Sequence, residues 1–223
     1  MPSGRPVGTE NPNAASGRRS ALAATPKPAI GDPLPAAFYD RDPAVVARDL
    51  LGGILRRVDA EGAVSGRIVE TEAYLGPHDA ACHAVAGRTG RTWHLFGPPG
   101  TAYVYFVYGM HWCVNAVTRE EGFGSAVLIR ALEPLEGVAR MRARRPTARH
   151  DAQLCDGPGK LCAALGIDRA FDGASLTEGS ALTIHTAERV PDDRLLTGRR
   201  VGISKAVELM LRFRDSRAAS SRP

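Results

Sequence analysis

In the stretch Arg67-Ile68-Val69-Glu70-Thr71-Glu72-Ala73-Tyr74 a strand's two-residue period puts Glu70, Glu72 and Tyr74 on one face and Val69 and Thr71 on the other. Two carboxylates on one face can push their pKa values apart, or one can hold its neighbours while it polarises a water. A solvated sheet face gives the same pattern. Here, however, the segment runs directly through Leu75-Gly76-Pro77 to Asp79 and His83, so a turn carries a second polar group towards the same cleft. His78 and His83 stand five apart and do not share a helix face as a metal-binding i, i+4 pair does, and the zinc-deaminase pattern is absent; metal catalysis is disfavoured.

A second group of chemistry-bearing residues follows. Residues 103–108 and 111–118 form an aromatic hairpin in which Tyr103 and Tyr105 point to one face and Tyr108 to the other, close to the Gly109-Met110 tip. Aromatic strands are core by default, and Tyr103, Phe106 and Trp112 are expected there. Tyr108 is placed differently: a large ring beside a tight turn is badly sited for a core and well sited to wedge between stacked bases. Asn115, inside an apolar strand, needs a buried hydrogen-bond partner, either backbone or a reacting water. Arg130, inside Val127-Leu128-Ile129-Arg130-Ala131-Leu132, needs an anion, and Glu72 or a nucleic-acid phosphate would serve.

The elements that hold these residues follow from pattern and composition. With 223 residues, 43% hydrophobic and 24% charged, the chain suits one globular domain and excludes wholesale disorder. Residues 1–30 are rich in Ala, Ser, Gly, Pro and Arg and are expected to be a disordered tail, followed by one domain over 31–215 and a flexible end over 216–223. Asp42-Pro43 is an N-cap followed by proline at the first helical position, which predicts a helix through about Leu51. Strand-like runs occupy 53–58, 66–72, 103–108, 111–118 and 125–132, and helical patterns 134–145, 158–166 and a short stretch after Ser204. Short glycine turns between valine-rich strands imply antiparallel neighbours. The expected fold is therefore α+β, a single compact domain on a mainly antiparallel, curved β-sheet flanked by helices, with a protruding β-hairpin.

Charge and cysteines narrow the partners. Twenty-nine Lys and Arg against 24 Asp and Glu give +5 at neutral pH, which suits a polyanion. Arg140, Arg142, Arg144, Arg145 and Arg149 crowd one stretch that either tracks phosphates or is a solvated face. Cys82, Cys113, Cys155 and Cys162 include no Cys-x-x-Cys pair and are expected as free buried thiols. No run is long and apolar enough to cross a bilayer or direct secretion, so a cytoplasmic protein without membrane partners is expected, associated with the nucleoid in a bacterium. Gly157-Pro158-Gly159-Lys160 opens a helix and offers amides and an ammonium to a phosphate, although it serves equally as a plain helix start. It is no nucleotide-binding loop, since Leu154 and Leu161 stand where Gly and Ser or Thr are required.

The ordered runs R-I-V-E-T-E-A-Y-L-G-P-x-D-x-A-x-H, G-T-x-Y-V-Y-x-x-Y-G-M-x-x-C-x-N, V-L-x-R-A-L-E-P-L-E-G, G-P-G-K-L-C-x-A-L-x-I and R-V-G-I together closely resemble the alkyladenine (3-methyladenine, or N-methylpurine) DNA glycosylase family, over residues 34–213. The resemblance implies a DNA-repair enzyme of base excision that flips an alkylated or deaminated purine from the duplex. The N-glycosidic bond is then cut with water, without lyase activity, metal or organic cofactor. It implies Glu72 as the base that activates the water, with Arg130 and Asn115 holding water, carboxylate and DNA backbone. Tyr74, His83 and Tyr105 become walls of the base pocket, and Tyr108 fills the gap left in the helix. Met110, Arg88, Arg130 and Lys160 are expected with Tyr108 at the DNA, and the enzyme is expected to work as a monomer. Two readings from other classes stand beside it: a catalytically silent binder of damaged DNA, and a carbohydrate hydrolase built on Glu70 and Glu72. The second is disfavoured by the arginines and Tyr108.

Overall fold

The computed structural model describes Gly4 and residues 29–219. Most of the tail expected over 1–30 therefore lies outside the described residues. Of the expected flexible end, Ser216–Ala219 form one helical turn and the remainder lies outside them.

The frame is a sheet of β1 (Ile54–Asp59), β2 (Gly62–Tyr74), β3 (Ala102–Val107), β4 (His111–Thr118), β5 (Ser125–Glu136), β6 (Leu182–His185), β7 (Leu195–Gly198) and β8 (Arg212–Asp215). Its order is β3-β4-β5-β2-β1-β6, with β8 pairing β2 and β7 pairing β8, and all of these pairings are antiparallel. The α+β architecture expected from the sequence is what the chain adopts. β2 organises it: its first half pairs β1, its second half pairs β8, and β5 lies along its other side. The Glu70–Glu72 stretch is thus an interior part of the sheet. Register shifts on either side of Glu70 leave Val69 opposite no β5 residue and Arg130 opposite no β2 residue. Such bulges bend a strand and re-aim its side chains; here Arg130 still ends between the two glutamates.

Helices α1 (Ala36–Tyr39), α2 (Pro43–Asp49), α3 (Val138–Arg144) and α4 (Pro158–Leu165) join the sheet, with α5 the turn at Ser216–Ala219. α2 begins as its sequence predicts, the Asp42 carboxylate accepting from the amides of Ala44 and Val45. Val46 of α2, Leu50 and Leu51 just after it, and Leu161, Cys162 and Leu165 of α4 seal one face of the sheet against Val104, Val114, Ala116, Val127 and Ile129. A smaller cluster of Cys82, Ala84, Leu95, Phe96, Tyr103, Val117 and Ala126 lies on the other face. All four cysteines are free and buried.

Three local expectations are corrected. The helix expected from 134 starts only at Val138, because β5 runs on to Glu136 with Pro134 opposite Gly66, and Gly137 at φ 70° then turns the chain. Residues 204–211 form bends and extended chain rather than a short helix. Phe106 is no core residue: it is exposed near the hairpin tip on edge strand β3, its ring 4.7 Å from that of half-buried Trp112.

Candidate active site

Strand alternation builds the site. Tyr103 and Tyr105 on β3, Cys113 and Asn115 on β4, and Leu128 and Arg130 on β5 all face away from the helices. With Tyr74 on β2 and His83 they line a cavity of about 950 Å³, closed on other sides by Arg91, Gly157, Lys160 and residues 201–205. The two tyrosine rings of β3 lie 5.2 Å apart, and His83 meets Tyr105 edge-on at 4.6 Å. His83 Nδ1 is 2.9 Å from the Tyr103 hydroxyl. Burial, reinforced by the nearby Arg91 cation, holds the His83 pKa below its ordinary value, so the ring is neutral at pH 7. Arg91 stands 5.7 Å over the Tyr105 ring, and Arg200 stands 4.8 Å over that of Tyr74. Burial also pushes the Cys113 thiol up to about 11, which keeps it from reacting as a thiolate.

Glu72 sits behind this lining with its side chain fully buried. Its Oε1 accepts from the Val201 amide at 2.7 Å, and its Oε2 accepts from the Tyr74 hydroxyl at 3.0 Å and meets Arg130 Nη1 at 3.2 Å. Arg130 Nε reaches Glu70 Oε1 at 3.2 Å, and Arg212 of β8 stands 3.7 Å from the same oxygen. The anion that Arg130 requires is therefore a pair of carboxylates. For Glu72 desolvation outweighs Arg130, Val201 and Tyr74, and the pKa is raised above the ordinary glutamate value. A raised pKa moves a carboxylate towards the range in which it takes a proton effectively near neutral pH. Burial, and then the Glu72 charge, raise the Tyr74 pKa, so its hydroxyl stays protonated and donates.

Asn115 is buried and donates its Nδ2 to the Tyr103 carbonyl at 3.0 Å, the backbone one of the two partners open to it from the sequence. Tyr108, 78% exposed, joins the cavity rim rather than the opposite face: its φ of 53° breaks the strand alternation that placed it there. Tyr108 and Gly109, both at positive φ, form a tight turn closed by the Met110 amide on Val107 O at 3.2 Å. A tyrosine held in the left-handed region points to a function for its position. Met110 is exposed beside it. Lys160 lines the cavity and pairs with Asp156 at 2.8 Å. Arg88 stands apart from the lining, packed over Trp93 and Phe96 and bonded to the Phe96 carbonyl at 3.1 Å. Four of the five arginines of the run are engaged elsewhere: Arg140 with Asp59, Arg142 with Asp151, and Arg144 and Arg145 with carbonyls of 164, 153 and 154.

Sequence reasoning missed two contributors. Val201 N–H reaches Glu72 across 129 residues, and Arg200 forms a buried ion pair with Asp79 across 121. Their only trace was the short R-V-G-I block.

The sheet thus carries an aromatic cavity with a hairpin tyrosine at its rim and a buried carboxylate behind it. The model of the methylpurine-DNA glycosylase family matches residues 37–219, and the chain belongs to that family. It is 48% identical over 179 residues to a protein of Methanocella arvoryzae, covering 80% of this chain and 88% of the relative. A Methanoculleus marisnigri protein is 48% identical over 194 residues, 85% and 99% of the two chains. One from Burkholderia lata is 48% identical over 186 residues, 82% and 87%. All three relatives carry the provisional name 3-methyladenine DNA glycosylase.

Proposed function

We propose that this DNA glycosylase flips alkylated or deaminated purines, of the 3-methyladenine, 7-methylguanine, hypoxanthine and ethenoadenine class, out of duplex DNA. Their N-glycosidic bond is hydrolysed with a Glu72-activated water, leaving an abasic site. The carrying observation is the Glu72 carboxylate, buried and held by Arg130, Tyr74 and Val201, each of which lines the aromatic cavity. Three of its roughly four lone-pair directions are occupied, which leaves one for a water brought in with the DNA.

Flipping costs a few kcal/mol, least for a damaged base, and Tyr108 offsets it by filling the vacated stack. Tyr74, Tyr105 and His83 receive the base; stacking contributes about 1–3 kcal/mol per base. As the bond from the sugar to the purine nitrogen lengthens, the sugar gains oxocarbenium character, which the adjacent carboxylate stabilises. The water oxygen bonds to the sugar carbon, its proton passes to Glu72, and the bonding pair leaves with the purine. A cationic alkylpurine leaves as a neutral base. Arg130, fixed by Glu70, keeps the Glu72 oxygen aimed at the water, and Asn115 is fixed beside it on β4. Met110, Arg88, Arg130 and Lys160 join Tyr108 at the DNA. The enzyme acts as a monomer, in the cytoplasm, without metal or organic cofactor and without lyase chemistry.

The test is base release from duplexes carrying one hypoxanthine or one ethenoadenine and from methylated DNA. Release is expected, with strand breaks appearing only after alkali. Breaks without alkali would overturn the water mechanism, and lesion-selective binding without release would make the protein a binder rather than an enzyme.

A further inference from the structure

Behind the cavity wall Asp79 and Arg200 form an ion pair whose side chains are both fully out of solvent. Arg200 Nη2 donates to Asp79 Oδ1 at 2.8 Å and its Nη1 meets Asp79 Oδ2, a two-pronged contact that fixes angle as well as distance. The same carboxylate accepts from the amides of Leu75 and Ala81, both at 3.1 Å, and so holds the turn that leads from Tyr74 to His83. Arg200 Nη1 also donates to the carbonyl of Ala73, the residue between Glu72 and Tyr74, at 3.0 Å. Its guanidinium lies over the Tyr74 ring, and the next amide in the chain is the one that donates to Glu72. Replacing a buried ion pair by apolar side chains of similar volume is often neutral or stabilising, so stability alone does not account for this one.

We propose that the Asp79–Arg200 pair is a positioning device for Glu72: by clamping segment 200–206 to the turn at 75–81, it sets the Val201 N–H on the carboxylate and braces the Tyr74 wall. This rests on Glu72 being the base. The charged and titratable groups around that carboxylate are Glu70 and Tyr74 on β2, Arg130 on β5, Arg212 on β8 and Arg200 itself. Of these, Arg200 alone carries the backbone donor in its chain neighbour. Losing that donor disfavours the charged form of Glu72.

The experiment compares wild type with the double variant Asp79→Leu/Arg200→Met, which leaves no buried charge unpaired, in single-turnover release of methylpurines from methylated duplex DNA. The folded double variant is expected to show an acid limb moved upward by about one pH unit, with release lowered about tenfold on the acid side and recovering as pH rises. A wild-type limb, or an equal loss at every pH, would overturn the positioning role. Amide exchange in the wild-type chain gives a readout independent of whether the double variant folds: Val201 is expected to be as protected as the sheet amides, and an unprotected Val201 would overturn the proposal. Glu72→Gln is run in parallel. Full release by that variant would remove the base assignment and the pair's role with it, whereas loss of release beside a wild-type double variant would remove only the pair's role.

Discussion

The two faces of the central strands are built from alternate residues of the same segments yet obey different rules. Towards the helices Val104, Val114, Ala116, Val127 and Ile129 are uniformly apolar and buried. Towards the cavity their neighbours Tyr103, Tyr105, Cys113, Asn115, Leu128 and Arg130 mix rings, an amide, a thiol and a charge. The first face supplies burial, about 1.5–3 kcal/mol for each large aliphatic side chain. The second holds a buried carboxylate whose pKa is raised, an arrangement that costs stability and supports chemistry. One sheet thus separates the face that packs against the helices from the face proposed to act on a substrate, mainly through the two-residue period.

That separation is open to direct attack. Ile129→Ala removes a fully buried side chain from the helix-packed face and is expected to lower stability by about 2–5 kcal/mol. Denaturant melts read this loss, while the release rate per folded molecule stays that of wild type; a comparable fall in that rate would merge the two faces. Tyr108→Gly does the reverse. It relieves the left-handed strain and raises stability by up to about 1–2 kcal/mol, while lesion-duplex affinity falls roughly ten- to a hundredfold with loss of the stacked ring. Melting curves and fluorescence anisotropy read the two arms.

A pH series sharpens the electrostatic part. Only ionised Glu72 takes a proton, so release is expected to fall about tenfold per pH unit below its acid limb. The limb itself is expected above the roughly 4.3 of an unperturbed glutamate. A limb at or below that value would contradict the effect of burial. The smallest change is expected at the arginine run: Arg142→Gln removes an exposed pair with Asp151, and stability is expected to stay within about 0.5 kcal/mol, with duplex affinity unchanged.

Features set by neighbours in sequence were legible. The Asp42-Pro43 helix start, the aromatic hairpin and the shared face of Glu70, Glu72 and Tyr74 each follow from spacing, and Arg130, a charge in an apolar strand, announced the need for an anion, with Glu72 or a phosphate left open. What stayed hidden depends on distant pairing. β6, β7 and β8 are only four residues each, too short to carry a period, and exist because β1 offers an edge to β6, β2 one to β8, and β8 in turn one to β7. The sequence left the arginine run open between a phosphate track and a solvated face, because Asp59, the acceptor of Arg140, lies 81 residues away from it. Arg200 and Val201, more than 120 residues from Asp79 and Glu72, were invisible as partners for the same reason. Tyr108 was assigned to the wrong face because alternation ends where φ turns positive.

The central claim, that the cavity face does its chemistry through Glu72, is tested most directly by single-turnover release from a lesion duplex with Glu72→Gln, at protein concentrations where binding is shown to be saturated. The account predicts a loss of about 10²–10⁴-fold with duplex binding retained. It also predicts a melting temperature that gains on wild type as pH rises, since ionisation of the raised Glu72 destabilises the fold progressively from its unfolded pKa up through its folded one. Release by Glu72→Gln within a fewfold of wild type would contradict it.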